Sequence, residues 1–458
     1  MNKRILAKDT PQEVDKDILI QGFVSARRDH GKLIFIDLRD RSGLVQVVFN
    51  PRVSTDAHLK AIDIRPEFVV SIKGKVNKRP DHMINPKIVS GTVEVGALEI
   101  EILSIAETLP FDMGGEELNL ELPTLLDYRS LTLRHPRVRP IFEIQDAILE
   151  GFKNVSRQLD CIEVVVPTIA ASATEGGAEV FKVDYYDHKA FMTQSPQLYK
   201  QMMVPVFERV YTVAHAYRAE PSVTTRHLAE TTQIDFEFGF VNFEELLDLF
   251  EHVMTETLKH VETKCSSQLK SLNLEPLSFG KIPRLTLREA QDVIYKDYGR
   301  DNRSEKDLTP QDEVDLCKWA LAKHNSDLVT ITHFPTFKRA FYTMPDPENP
   351  EFSLSYDLLF RGVEIMSGSV RINDYDKLVV AIKDRGMEVS AFEMYLQAFK
   401  YGMPPEGGFS FGLERITMKL LELNNIREAS LFPRDMERVD ERFSKTEKEK
   451  TIQKDKSQ

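Results

Sequence analysis

A short polar stretch between two strand-like segments carries side chains that could do chemistry. Arg218 and Glu220 lie at its start, and Arg226, His227 and Glu230 lie near its end. Guanidinium groups bind phosphate oxygens through paired N–H donors, so two arginines and a histidine on one loop suit a polyphosphate. A charged loop that merely faces solvent is the alternative that this pattern leaves open.

A glycine-rich turn near the C-terminus could approach the same kind of ligand. Residues 407–415 read GGFSFGLER, and the final arginine opens a helix-like segment. Glycine permits close backbone approach, and helix N-termini favour anions. The spacing matches neither GxxxxGK[ST] nor GxGxxG, which argues against a P-loop and a Rossmann site. A tight strand–helix junction is the plainer interpretation.

Two further groups could bind a cation and a carboxylate. Asp357, Glu364 and Ser367 lie close together in the sequence, and hard oxygen ligands of this kind can hold Mg²⁺. An ordinary salt-bridged sheet face would explain them as well. Upstream, Lys200 follows the neutral polar residue Gln197 and could neutralise a substrate carboxylate, although most lysines simply lie at the surface.

The elements that must position these groups fall into two parts, of which the first is strand-rich. Alternating apolar residues between Ile18 and Leu103 predict five short strands, with a turn at residues 39–43. Five strands in so short a stretch fit a small closed barrel of the OB-fold type. We therefore predict an OB-fold domain over residues 1–106, followed by a linker or hinge with several Pro and Gly residues over 107–135.

The second part predicts an antiparallel α+β domain over residues 136–436. Apolar residues spaced by three and four from Ile141 to Leu159 predict an amphipathic helix, and Asn242 with Glu245 forms a capping-box pattern before another long helix. Strands and helices are mixed without a regular βαβ alternation, which argues against a doubly wound sheet. Residues 437–458 predict a charged, solvated tail.

Composition excludes several classes of protein. Of the 458 residues, 41% are hydrophobic, which is enough for a large core. The net charge of −12 argues against non-specific polyanion binding. Three isolated cysteines match neither a zinc pattern nor a disulfide framework. The sequence contains neither a signal-peptide pattern nor a long apolar run, so we expect a cytoplasmic protein without a membrane partner.

Together these groups resemble the three motifs of class II aminoacyl-tRNA synthetases, and of aspartyl-tRNA synthetases in particular. Val166-Pro167 after the first long helix resembles motif one, Tyr217–Glu220 with Arg226 and His227 resembles motif two, and Gly412–Arg415 resembles motif three. The resemblance covers about residues 18–435. The N-terminal part is similar to bacterial members, whereas the catalytic part is similar to archaeal and eukaryotic ones and is too short for the bacterial insertion domain.

The resemblance implies a ligation in two steps. ATP activates an amino acid as its adenylate, and a hydroxyl at the 3′ end of tRNA then attacks the adenylate. Arg218 and Arg415 are implied as the catalytic cations, and Mg²⁺ is implied as a cofactor held by Glu364, Ser367 and Asp357. The residues implied to bind ATP are Arg218, Glu220, Arg226, His227, Leu228, Glu364, Gly412, Leu413, Glu414 and Arg415.

The resemblance also implies aspartate as the amino acid, because asparaginyl enzymes lack the lysine that is Lys200 here. Lys200 and Arg371 match the positions that meet the side-chain carboxylate. The full set implied to bind aspartate is Glu175, Gln197, Lys200, Arg218, Asp235, Ser367 and Arg371. Four residues depart from the family pattern: Thr231 replaces an aromatic that stacks on adenine, Glu406 replaces a histidine, and Ser369 and Val370 replace Gly-Gln.

For the barrel, the resemblance implies anticodon binding by Arg27, Arg28, His30, Phe35 and Gln46, with Phe35 stacking on a base. A place for Phe35 in the barrel core is the alternative. The implied partners are tRNA-Asp, ATP, L-aspartate and a second copy of the chain. Relaxed members tend to carry histidine at the position of His30, which favours charging of tRNA-Asn too and a link to a tRNA-dependent amidotransferase.

Two other functions stay open at this point. An asparagine–tRNA ligase would share the fold and the ATP site. A non-catalytic paralogue that binds RNA would share the fold alone, and the joint presence of Arg218, Glu364 and Arg415 argues against it.

Overall fold

The computed structural model describes residues 3–171, 179–221 and 224–443. The chain divides into two units, Met1–Asn119 and Leu120–Gln458. Within the described ranges, no helix has both the length and the hydropathy needed to cross a lipid bilayer.

The N-terminal unit is a closed barrel of five strands. They are β1 (Asp17–His30), β2 (Leu33–Asp40), β3 (Gly43–Phe49), β4 (Val69–Lys78) and β5 (Val93–Ser104), in the order β1-β2-β3-β5-β4. A short helix, α1 (Thr55–Ala61), follows β3. Alternate residues of β2 are buried, which places Ile34 and Ile36 in the core and Phe35 on the outside. The predicted OB-fold barrel is confirmed, and Phe35 is not one of its core residues.

The C-terminal unit contains one large sheet and one small sheet. In chain order their strands are β6 (Ile162–Glu163), β7 (Ile169–Ala170), β8 (Lys182–Tyr185), β9 (His188–Met192), β10 (Arg209–Tyr217), β11 (Glu230–Gly239), β12 (Arg284–Thr286), β13 (Leu328–Thr332), β14 (Ser355–Phe360), β15 (Val363–Val370) and β16 (Glu406–Gly412). The large sheet has the order β12-β13-β14-β15-β16-β11-β10-β6, and the small one has the order β7-β9-β8. The pairs at the two edges of the large sheet are parallel and its other pairs are antiparallel. The predicted α+β class is confirmed.

The described part of this unit also contains eleven α-helices. They are α2 (Leu122–Asp127), α3 (Arg129–Thr132), α4 (Arg139–Gln158), α5 (Gln197–Phe207), α6 (Phe243–Lys264), α7 (Ser266–Ser271), α8 (Leu287–Tyr298), α9 (Pro310–His324), α10 (Tyr375–Asp384), α11 (Glu393–Lys400) and α12 (Leu413–Leu420). In the main core, Phe152 of α4 packs against Phe411 of β16, and Phe250 of α6 packs against Phe409 of β16. Asn242 and Glu245 form the predicted capping box of α6, which fixes where that helix begins.

The structure differs from the predicted linker and tail. The second half of residues 107–135 contains α2 and α3. Leu126 of α2 is buried, and Arg129 of α3 donates to three carbonyl oxygens within residues 428–431. Composition missed this because the helices are too short to show a period. In the predicted tail, Arg438 is buried and pairs with Asp127 rather than facing solvent. Residues 444–458 of that tail lie outside the described residues.

Candidate active site

One cavity of about 220 Å³ gathers almost all the residues expected to bind ATP. Gln233 of β11 pairs with Gly412, and Met366 of β15 pairs with Phe411, so the ends of these strands meet at the cavity. Its lining includes Arg218, Glu220, Arg226, His227, Leu228, Glu364, Ser367, Gly412, Glu414 and Arg415. Leu413, the remaining member of the predicted set, is buried in the core instead.

Arg218 presents its guanidinium to this cavity from the end of β10. Its backbone N–H donates to Ala229 O at 2.9 Å, which holds the two ends of the β10–β11 connection together. Among the residues that the structure describes, its guanidinium makes no hydrogen bond or ion pair. An anionic ligand would therefore meet donors that are not already engaged.

Two other cations of the cavity are anchored by protein acceptors. Nη1 of Arg226 lies 3.1 Å from Oε2 of Glu313, a residue of α9 that the sequence did not reveal. Nη1 of Arg415 donates to the main-chain oxygen of Glu364 at 3.0 Å. Burial and the nearby Arg415 lower the pKa of His227, so its imidazole is neutral at pH 7. The anchors fix the positions of both arginines before a ligand arrives.

The expected metal ligands lie on two paired strands. Asp357 of β14 pairs with Ser367 of β15, and Glu364 lies three residues before Ser367. Burial and the neighbouring Asp357 carboxylate raise the pKa of Glu364 to about 7. Arg339, which the sequence did not reveal, contacts Asp357 Oδ2 at 2.7 Å and Ser367 Oγ at 3.0 Å.

The oxygen atoms of Asp357, Glu364 and Ser367 suit a cation that takes its remaining ligands from phosphate or water. Asp357 Oδ1 is buried and has no hydrogen-bond partner among the described residues. No group of three or more His, Cys, Asp or Glu side chains in the described ranges could hold a metal by itself. Two carboxylates and the hydroxyl of Ser367 fit Mg²⁺, which commonly completes its shell with phosphate oxygens and water.

Glu414 performs a structural task at the cavity wall. Both of its carboxylate oxygens lie 3.0 Å from the backbone N–H of Thr232, so the side chain ties α12 to β11. Burial raises the pKa of Glu414 to about 7. Thr231, the residue before Thr232, lines the cavity as a small polar residue, where the family pattern has an aromatic.

Lys200 lies at the centre of a second, fully buried cluster. Its Nζ is 2.7 Å from Asp235 Oδ1 and 3.1 Å from Glu237 Oε2. Ser410, which lines the 220 Å³ cavity, donates to Asp235 Oδ2 at 2.9 Å. The cluster therefore begins one hydrogen bond from that cavity.

Arg371 forms the other half of this cluster. Its Nε donates to Glu237 Oε1 at 2.7 Å and its Nη1 donates to Ser369 Oγ at 2.6 Å. Nη2 lies 3.4 Å from Gln197 Oε1, so the predicted Gln197, Lys200, Asp235 and Arg371 do come together. Glu175 lies outside the described residues.

Glu237 joins the two cations, and the sequence did not single it out. Although burial opposes ionisation, Arg371 and Lys200 lower the pKa of Glu237, so it is a carboxylate. One signal could have found it: Glu237 lies two residues after Asp235, on the same strand face. In the structure Glu237 pairs with Gly408, and a Cβ added to that glycine would collide with Glu237 Oε2. The paired glycine makes room for this carboxylate.

The residues expected to meet the anticodon lie on the outside of the barrel. Phe35 pairs with Arg28 of β1 and with Val48 of β3, and its ring meets the edge of His30 at 5.5 Å between centroids. Arg28 contacts Asp37 at 2.7 Å. Arg27 contacts Asp29 at 2.8 Å. Gln46 contacts Glu94 at 3.2 Å.

An OB-fold barrel and a mainly antiparallel sheet with an arginine-lined cavity are typical of a class II aminoacyl-tRNA synthetase. The family of class II tRNA synthetases for D, K and N matches residues 121–436, and the OB-fold nucleic acid binding domain matches residues 18–103. The chain belongs to this synthetase family.

Relatives of two amino-acid specificities resemble the whole chain. An aspartate–tRNA(Asp/Asn) ligase of Thermus thermophilus is 40% identical over 95% of this chain and 99% of its own. A putative aspartyl-tRNA synthetase of Leishmania major superposes with a TM-score of 0.87 at 28% identity, covering 96% of this chain and 95% of that one. An asparaginyl-tRNA synthetase of Pyrococcus horikoshii, solved with asparaginyl-adenylate, gives 0.86 at 28% identity over 96% and 100%.

Proposed function

We propose that this chain is an aspartate–tRNA ligase, which forms aspartyl-adenylate from ATP and aspartate and then transfers aspartate to tRNA-Asp. The observation that carries the proposal is the buried Lys200–Arg371 cluster, one hydrogen bond from the ATP cavity. The aspartate specificity named for the Thermus thermophilus relative supports it.

In the first step, the aspartate α-carboxylate attacks the α-phosphate, and pyrophosphate leaves. Arg218 has unengaged donors for the α-phosphate and the attacking carboxylate. Arg226 and His227 meet the outer phosphates, Glu220 meets the adenine amino group, and Arg415 stacks on adenine, as the motif resemblance implies. Catalysis of this kind depends on positioning and on charge stabilisation, so no protein nucleophile is needed.

Mg²⁺ is the proposed cofactor. Glu364, Asp357 and Ser367 would hold it, and the ion would neutralise charge on the phosphate oxygens of ATP. Asp357 Oδ1 supports this assignment, because a buried carboxylate oxygen without a partner is costly unless a ligand satisfies it. Arg339 neutralises the other oxygen of Asp357 and fixes its direction.

Asparagine ligation is the second candidate, because the asparaginyl enzyme superposes nearly as well as the aspartyl one. Lys200 favours aspartate, since a desolvated carboxylate needs cations that an amide does not. Amino-acid-dependent exchange of pyrophosphate into ATP separates the two: we expect exchange with aspartate. Exchange that is faster with asparagine would refute the proposal, and none with either would indicate a non-catalytic paralogue.

For the tRNA partner, we propose that the outer barrel face binds the anticodon and accepts both tRNA-Asp and tRNA-Asn. Phe35 is a partly exposed ring on a face with Arg28, which suits base stacking beside phosphates. His30 can donate from one ring nitrogen and accept at the other, so it can tolerate either C or U at the third anticodon base. If both are charged, a tRNA-dependent amidotransferase would then convert Asp-tRNA-Asn.

The remaining proposals concern assembly and location. Val165 is 97% exposed beside edge strand β6, and Val213 on the adjoining β10 is also exposed, which supports an interface with a second copy of the chain. We also propose a cytoplasmic location, to which the free and buried Cys161, Cys265 and Cys317 are suited.

A further inference from the structure

Glu406 is a fully buried glutamate that the proposed reaction does not use. It is the first residue of β16, and Gln201 Nε2 donates to its Oε1 at 2.8 Å. Its Oε2 is buried and has no hydrogen-bond partner among the described residues. The backbone links it to the amino-acid pocket, because Arg371 N donates to Glu406 O at 2.9 Å.

The charges around Glu406 are already balanced without it. Lys200 and Arg371 supply two positive charges, and Asp235 and Glu237 supply two negative charges in direct contact with them. An ionised Glu406 would make the cluster net negative. The titratable groups that interact with it come from α5, β11, the end of β15 and α11: Lys200, Glu237, Arg371 and Tyr395.

Two physical arguments make Glu406 a neutral acid. A buried carboxylate with an oxygen that accepts nothing loses the hydration of a full charge without compensation, whereas a neutral carboxyl forgoes an uncharged hydrogen bond, which costs less. Burial and the neighbouring Glu237 carboxylate raise the pKa of Glu406 well above its ordinary value. Arg371 therefore has one carboxylate partner in the cluster, Glu237, which accepts from both Nε and Nη2. Its other contacts, Ser369 and Gln197, are neutral.

We propose that Glu406 is a positioning residue that is held as a neutral carboxylic acid, and that this neutrality lets Lys200 and Arg371 accept the aspartate side chain. The inference rests on the proposed aspartate ligation and names how its amino-acid site is tuned. Ionised Glu406 would repel the aspartate side chain but would leave ATP, which binds in the neighbouring cavity, much less affected.

The test is Glu406→Gln, which keeps the shape and removes the possibility of ionisation. Pyrophosphate exchange gives KM for aspartate and for ATP at pH 7.5, and circular dichroism checks the fold. We expect KM for aspartate to change by less than about threefold, since one neutral group replaces another. A fall of more than about tenfold would show that wild-type Glu406 is ionised and would overturn the inference; tenfold corresponds to 1.4 kcal/mol.

A second measurement uses the unaltered protein, so it does not depend on the variant folding. We expect KM for aspartate not to fall when the pH is lowered from 7.5 to 5.5, because Glu406 is already neutral. Protonation of Glu364, whose pKa is about 7, would remove a proposed Mg²⁺ ligand and would act in the opposite direction. A fall of about tenfold per unit on acidification would reveal a carboxylate that has to be protonated and would overturn the inference. Glu428→Gln, at a glutamate whose pKa burial also raises but which lies outside this cluster, is the matched control.

Failure of this inference differs from failure of the proposed function. If wild type shows no aspartate-dependent exchange, the ligase proposal itself is wrong. If wild type is active but Glu406→Gln binds aspartate more tightly, the ligase proposal stands and the neutral role of Glu406 is wrong.

Discussion

Replacing Lys200 by methionine tests how the amino-acid pocket is held together. In wild type the Lys200 ammonium is fully buried and contacts two carboxylates, at 2.7 Å on Asp235 and 3.1 Å on Glu237. Methionine fills a similar volume without charge. Glu237 keeps Arg371, but among the described residues Asp235 keeps the hydroxyl of Ser410 alone and becomes a buried anion without a cation.

The expected loss of stability is large. Removing one partner of a buried ion pair costs about 3–5 kcal/mol, mainly because the other charge is left uncompensated. At about 2 °C per kcal/mol for a large domain, the melting temperature should fall by roughly 6–10 °C. Where the variant is folded, KM for aspartate should rise far more than KM for ATP. Calorimetry and pyrophosphate exchange measure the two effects.

Two further variants separate this explanation from a loss of packing. Asp235→Asn added to Lys200→Met removes the stranded anion and should recover at least about 1 kcal/mol of unfolding free energy, within the usual range of pairwise coupling. Lys318→Met at an exposed lysine is the control and should cost less than about 1 kcal/mol. If Lys200→Met melts within 2 °C of wild type, or if Asp235→Asn makes it worse, the uncompensated-charge argument is refuted.

Four other predictions concern separate parts of the molecule. Arg218→Ala and Arg415→Ala should each slow pyrophosphate exchange by about 10²–10³, because each removes a charge-assisted contact to phosphate worth roughly 2–4 kcal/mol; near-normal exchange would remove the assignment. Because the folded-state pKa of Glu414 is raised from 4.5 to about 7, its contribution is favourable below pH 4.5 and is lost as pH rises through 7. Wild type should therefore lose up to about 3 kcal/mol relative to Glu414→Gln between pH 4.5 and 7.5, and parallel denaturation profiles would contradict this. Light scattering should give twice the chain mass of 52.6 kDa, and Val165→Asp should give the monomer; a wild-type monomer at micromolar concentration would exclude the dimer. Aminoacylation should favour tRNA-Asp over tRNA-Asn by less than about a hundredfold, or 2.7 kcal/mol, and a greater preference would exclude relaxed specificity.

Sequence periodicity was sufficient for the barrel and for the long helices. Strand β2 alternates buried and exposed residues along its length, so its pattern survives in the sequence as alternating apolar residues. The capping box of α6 is a local signal of the same kind, because Asn242 and Glu245 satisfy each other's backbone groups without help from distant residues. Structure that depends on neighbouring residues alone, such as a strand pattern or a helix cap, can therefore be predicted from the sequence.

The counter-charges of the site were beyond sequence reasoning. Arg339 meets Asp357, and Glu313 meets Arg226, across separations of 18 and 87 residues. Neither lies in a recognisable motif, and an isolated charged residue predicts a solvated surface unless its partner is known. The cations that face ligand could be predicted from motifs, whereas the groups that hold them could not, because their pairing is decided by the tertiary fold.

The charge balance of the amino-acid pocket bears directly on the choice between aspartate and asparagine. Lys200 and Arg371 match the positions that meet the aspartate side chain, and in the structure Asp235 and Glu237 already neutralise them. A neutral pocket discriminates by hydrogen-bond geometry. The aspartate carboxylate can accept from donors on both Lys200 and Arg371. The asparagine amide must turn its two N–H donors toward the donors of at least one of these cations. Rejection of asparagine then comes from unpaired donors rather than from net charge. It follows that any change adding one negative charge, including ionisation of Glu406, erodes aspartate binding without creating a site for asparagine.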